Sequence, residues 1–150
     1  MQSTLAIKWA DVEVQELDSP VLMLWRKILA NAGGAGAMRG GLAIDEAFTL
    51  YGADNFVGMN FQSGAEIPAR GFAGGMPGGN GKAWLIRNSE VDNLLAQGTL
   101  PSSPELLKGE VDLSLRGCQT NIAFSKGEVF RGIAGGGGGI PARFLYTSDA

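Results

Sequence analysis

The dipeptide Gly81-Lys82 is the step found in phosphate-binding loops, where bare backbone N–H groups cradle an anion and the lysine reaches the outer phosphates. Such a loop also needs a hydroxyl after the lysine to hold magnesium, and a leading glycine five residues before the second. Here those places hold Ala83 and Met76. A dinucleotide fingerprint fails in the same way. Gly34 and Gly36 have the right spacing, but Arg39 stands where the third glycine belongs, and Gly40 and Gly41 are poor material for the helix that must follow. The glycine run at 135–139 leads into Ile140-Pro141, with no lysine or serine to hold a phosphate.

Other chemistries are narrowed by residue type. The chain has no histidine, which removes Ser-His-Asp and Cys-His nucleophile systems and any Cys/His zinc site. Its one cysteine, Cys118, has no partner for an internal disulfide and no imidazole base, so it is read as a small buried or turn residue. Asp45 and Glu46 are adjacent. On a strand they point to opposite faces, cannot act as a general acid/base pair, and are expected to be solvated or ion-paired. Arg39 and Arg70 lie in glycine-rich stretches where a guanidinium could clamp a phosphate or carboxylate; hydrogen bonding to nearby loop carbonyls is the favoured reading. No catalytic, cofactor-binding or metal-ligating residue is therefore assigned.

Twelve Lys+Arg against fifteen Asp+Glu give a net charge of −3, without the basic surplus that draws proteins to nucleic acid. Charged residues make up 18% of the chain, against about 25% in ordinary soluble domains. A surface so poor in charge is expected to be partly covered by a partner. Trp9, Trp25 and Trp84 are large apolar groups suited to such contacts, with core packing equally open for Trp25 and Trp84. No run of about 18 apolar residues and no secretory signal is visible, so a cytoplasmic protein without membrane contact is expected.

The elements that must position these residues are short. Residues 1–20 alternate in small apolar steps and read as an N-terminal arm or edge strand ending at Pro20. Residues 21–30 read as a strand buried on both sides, because the glycines that follow leave no room for helical turns. Residues 42–50 are strand-like or briefly helical. Further strands are expected at 56–61, 83–87, 122–124 and 129–133, and a helical turn at Ser103-Pro104. Val111, Leu113 and Leu115 alternate with Asp112 and Ser114 as the clearest half-buried strand.

Glycine accounts for 24 of the 150 residues, well above the usual frequency of roughly 7%. It gathers at 33–41, 71–81 and 132–139, with recurrent spacing by three, as at Gly75, Gly78 and Gly81. Two readings stand open. Three residues per turn is the repeat of polyproline II, so the clusters could form a bundle of extended rods packed through glycine faces. The other reading is flexible loops whose spacing is incidental. The fold class is mainly β, with irregular Gly-rich segments and few short helices.

Three segments in this order, NAGGAGAMRGGLA (31–43), IPARGFAGGMPGG (67–79) and KGEVFRGIAGGGGG (126–139), resemble the C-terminal part of the hydantoinase B, or oxoprolinase B, family. The chain departs from the usual pattern at Ala43, normally glycine, and at Gly139-Ile140-Pro141, normally a Gly-Asp-Pro step. The resemblance divides the chain into an arm (1–20), a hydantoinase B-like module (21–141) and a tail (142–150). In size and kind it is similar to the small subunits of acetophenone carboxylases. The resemblance implies a non-catalytic structural subunit of a heteromeric, ATP-dependent ketone carboxylase, bound to a larger B-type subunit and to A-type subunits that carry ATP and magnesium. An ATP-dependent cyclic-amide hydrolase and a stand-alone Gly-rich binding domain are the alternatives.

Overall fold

A computed structural model describes residues 10–112, 115 and 117–141. Helix α1 (Val12–Asp18) opens this part and runs into strand β1 (Val21–Leu29). Then follow β2 (Ala43–Leu50), β3 (Asn55–Phe61), β4 (Lys82–Arg87), helix α2 (Val91–Ala96), a 3-10 turn (Pro104–Leu106), β5 (Glu110–Asp112), β6 (Cys118–Ser125) and β7 (Val129–Ile133). Five strands form one antiparallel sheet in the order β1-β2-β7-β4-β5, and β3 pairs with β6 as a separate two-stranded sheet. The mainly β class with few short helices is what the structure has.

Side-chain alternation divides the core between the two faces of the larger sheet. Ala47, Ile86 and Val129 pack on one face with Val91 of α2 and Leu107 beside the 3-10 turn. Leu50 and Leu85 pack on the other with Ile122 and Phe124 of β6, where Phe48 stacks on Phe130 and meets Phe124 edge-on. Strand β1 breaks the alternation: its register on β2 shifts between Met23 and Trp25, and this bulge lets the neighbours Leu24 and Trp25 join the same cluster. Helix α2 is closed by Gly98, which takes a left-handed φ of +71° and donates its N–H to Leu95 O at 2.9 Å.

Three expectations are corrected. Strand β1 forms where expected but is an edge strand among the described residues, buried only over Met23–Trp25 with Lys27 and Ile28 exposed, and is not buried along both sides. The stretch before Pro20 is a helix over Val12–Asp18, while residues 1–9, with Trp9, lie outside the described residues. Val12 and Val14 mimic a strand period, but Glu13, Gln15, Glu16 and Leu17 are good helix formers and win locally. The helix is tied to β1 because Glu16 Oε1 accepts the Met23 N–H at 2.9 Å and Gln15 Oε1 accepts from Arg26 Nη2. Of the strand expected at 111–115, the structure describes β5 over Glu110–Asp112; Val111 is exposed, Leu115 is half-buried and not in a strand, and Leu113 and Ser114 lie outside the described residues. Among the described residues β5 is an edge strand paired only with β4, so alternation there does not translate into burial of Val111.

The glycine clusters pack backbone against backbone. Gly34 N donates to Gly137 O, Gly137 N to Gly41 O, Gly136 N to Gly79 O, Gly139 N to Met76 O and Gly79 N to Ala32 O, all at 2.8–3.0 Å. A Cβ added at Gly136 or Gly139 would strike Ala32 O or Ala35 O; one at Gly138 would strike Arg70 O; one at Gly137 would lie 2.8 Å from Gly41 N. Residues three apart on the central run thus face the same neighbouring segment, and the intervening ones face others. A run surrounded in this way has no free direction for a side chain. Not every spacing by three reflects this: Gly74 meets open space, and Gly132 sits in the β7 ladder beside the Phe130 ring.

Candidate functional site

Strands β1, β2, β4 and β7 bring one charged cluster together in the larger sheet. In the β1/β2 ladder Lys27 lies opposite Asp45 and Arg26 opposite Glu46, so the acidic pair meets a basic pair across the strands. Because neighbours on a strand point to opposite faces, two separate sites result. Asp45 is fully buried. Its Oδ1 accepts from Arg131 Nε at 2.9 Å and Trp25 Nε1 at 3.1 Å, and its Oδ2 accepts from Arg131 Nη2 at 2.8 Å. Lys27 Nζ stands 3.9 Å from Oδ2 and over the Trp25 ring, while the Arg131 guanidinium lies over Trp84, 4.9 Å from the ring centre.

Burial pushes the Asp45 carboxyl up, but hydrogen bonds from Arg131 and Trp25, with the charges of Arg131 and Lys27, outweigh it and hold the group below its ordinary range. An ionised carboxylate with both oxygens engaged this way is a structural anion that fixes β7 against β2. On the opposite face Glu46 pairs with Arg26 at 3.4 Å, and there burial prevails and raises its pKa. A second set of ion pairs fixes the sheet's far side: Arg87 Nη1 donates to Glu128 Oε1 at 2.5 Å and Arg87 Nε to Asp112 Oδ2 at 3.1 Å.

The remaining residues singled out from sequence are scattered. Asp45 and Glu46 do face opposite ways and are ion-paired, as expected. Trp25 is buried in the core and Trp84 packs against it. Arg39 hydrogen-bonds Asn31 Oδ1 at 3.4 Å, a side-chain amide in place of the expected loop carbonyl, and Arg70 is exposed. Cys118 is corrected: it is an exposed residue in β6, opposite Phe61, and neither buried nor in a turn, because β6 starts at that residue. Sequence reasoning missed Arg131, Lys27 and Arg26. The signal available was the complementary order of Arg26-Lys27 and Asp45-Glu46 on two neighbouring strands.

The N–H groups of Gly34, Gly40, Gly75, Gly78, Gly79, Gly136, Gly137 and Gly139 already donate to backbone carbonyls. Gly81 N–H donates to Gly64 O, and Lys82 lies in the β4 ladder opposite Ile133. Among the described residues no group of three or more His, Cys, Asp or Glu side chains gathers to hold a metal ion, and no helix is long and apolar enough to cross a membrane.

What the surface does offer is apolar. Met38, Phe72 and Met76 are exposed around the end of the central glycine run, where Phe72 N donates to Gly139 O and Met38 bridges Ile140. On the two-stranded sheet, Val57, Met59 and Phe61 alternate outward at 68%, 68% and 63% exposure.

Comparison with known proteins assigns this architecture. The chain is 30% identical over 89 residues to the acetone carboxylase alpha subunit of Xanthobacter autotrophicus (strain ATCC BAA-1158 / Py2), a match covering 59% of this chain and 11% of the relative. A solved structure of acetone carboxylase in its nucleotide-free form, described under the mechanism of ATP-dependent acetone carboxylation, superposes with a TM-score of 0.73 at 24% identity, over 88% of this chain and 19% of the other. The chain therefore spans about a tenth of the curated relative and about a fifth of the solved one. The family model of hydantoinase B/oxoprolinase matches residues 2–141, nearly the whole length, and the chain belongs to that family.

Proposed function

We propose that this chain is a structural, non-catalytic subunit of a heteromeric ATP-dependent ketone carboxylase, in which partner subunits bind ATP and magnesium and convert a ketone and bicarbonate to a 3-oxo acid. The observation that carries the reading is the sequence match to the acetone carboxylase alpha subunit within a family match over residues 2–141. Two features of the site support a structural role. The buried carboxylate Asp45 is committed to Arg131 and Trp25, and many of the glycine N–H groups already donate to backbone carbonyls of neighbouring segments, which leaves little chemistry for a substrate. The finer reading is an acetophenone carboxylase-like complex in the cytoplasm, with this chain beside a larger B-type subunit and ATP-binding A-type subunits.

The test is to purify the chain with its B-type and A-type partners and measure ATP hydrolysis driven by aryl or alkyl ketones with bicarbonate, against that driven by hydantoin or 5-oxoproline. Ketone-dependent turnover that is lost without this chain supports the proposal. Turnover driven by cyclic amides alone would move the chain to the hydrolase branch of the family.

A further inference from the structure

We propose that the outer face of the β3/β6 sheet is the docking surface for the larger B-type polypeptide of the same complex, an inference that rests on the function proposed above. The face is built by Val57, Met59 and Phe61 of β3 with Ala123 and Cys118 of β6. Val57 pairs with Ala123 and Phe61 with Cys118, and directly opposed residues share a face. The other face of the same sheet is already used: Ile122 and Phe124 point into the core against Leu50 and Leu85. The outward residues are therefore not part of what holds the module together.

Their chemistry departs from that of a solvent-facing sheet. Neither β3 (NFVGMNF) nor β6 (CQTNIAFS) contains an Asp, Glu, Lys or Arg. Small sheets that remain in water normally carry charges, lysine above all, to discourage pairing with other chains. A charge-free pair of strands with three large apolar side chains at strand spacing is suited to a partner surface that is itself apolar and uncharged.

The occupant follows from size and from the faces left over. In the acetone carboxylase structure this fold makes up 19% of one chain, so four-fifths of that polypeptide lies outside the shared module and is available to pack against it. Of the two faces of the larger sheet, one is covered by α2 and the Leu107 turn, the other by β3/β6 itself. The outer surface of β3/β6 is the next layer, and the larger B-type subunit is the counterpart of that remaining polypeptide.

Cys118, the one cysteine, provides a reporter inside the face. The experiment compares maleimide labelling of Cys118, read by peptide mass spectrometry, in the isolated chain and in the complex reconstituted with the larger B-type subunit. Labelling at least about tenfold slower in the complex is expected, since thiol reactivity depends on access. Met59→Glu and Val57→Lys should each weaken assembly by at least about tenfold, because a charge would be buried without a partner. Leu17→Glu, on the exposed side of α1, should assemble as wild type does. Thermal melting of each isolated variant verifies its folding. Unchanged Cys118 labelling within a formed complex, or normal assembly of both charged variants, overturns the docking surface and leaves the proposed function standing. Absence of any complex with the B-type subunit overturns both. Protection of Cys118 by self-association of the isolated chain would make a second copy the occupant and also overturn the proposal.

Discussion

Gly78 and Gly136 come so close that a Cβ on Gly78 would lie 2.1 Å from the Gly136 carbonyl oxygen. Gly75 stands in the same relation to Gly139, at 2.0 Å, so the 75–78 segment runs antiparallel to the central run with its glycines turned toward it. Both obstacles are backbone, which cannot swing aside as a side-chain tip would.

Gly78→Ala is accordingly expected to destabilise the chain or its assembly by at least about 1 kcal/mol. Gly41→Ala is the control: its Cβ meets nothing within 4 Å, so the change should be neutral or stabilising by up to about 1 kcal/mol through a stiffer unfolded chain. Denaturant titration of both variants checks the pair. Equal effects would contradict backbone packing as the reason for glycine at 78. We propose that the repeat of three along these segments is polyproline II geometry, to be read from backbone chemical shifts of residues 135–139.

Asp45→Asn should cost about 3 kcal/mol or more, because it leaves the largely buried Arg131 guanidinium without its counter-charge. The same pair makes stability depend on acid. Asp45 has a folded pKa below its unfolded value, so its contribution is complete above the unfolded carboxylate range near about 4 and is lost as pH falls through the folded pKa. Urea midpoints measured downward from neutral pH should fall in wild type and show a shallower loss in Asp45→Asn.

Glu46 has the opposite sign. Its folded pKa is raised by burial, so the folded chain holds that proton more tightly, and the contribution is present at low pH and lost as pH rises through the folded pKa. Glu46→Gln should therefore be neutral or mildly stabilising at pH 7, within about 1 kcal/mol, even though it removes the ion pair with Arg26. Comparing thermal melts of Glu46→Gln and Asp45→Asn at that pH checks the contrast between two adjacent acids.

The isolated chain should show no heat of binding when titrated with MgATP. Lys82 lies in a strand, the Gly81 N–H is already bonded, and Ala83 offers magnesium no hydroxyl. Micromolar binding in calorimetry would contradict this and would require the glycine bundle to open.

Much of the fold is local and legible in the order of residues alone. Strands β1, β2, β3, β4 and β7 follow from short apolar runs closed by glycine or polar turns, and the opposite facing of Asp45 and Glu46 follows from strand geometry. Where local signals compete, the sequence misleads. Val12 and Val14 suit either period, and only the contacts of Glu16 with Met23 and of Gln15 with Arg26 identify what the α1 segment is held against. Glycine density and spacing mark the three clusters, but not which glycines touch: Gly78 and Gly74 look alike in sequence, yet one faces backbone and the other open space. The cluster around Asp45 lies furthest beyond sequence reasoning. Arg131 follows it by 86 residues and reaches it only because β7 inserts between β2 and β4, and strand order in a sheet is decided by long-range packing that no local period encodes.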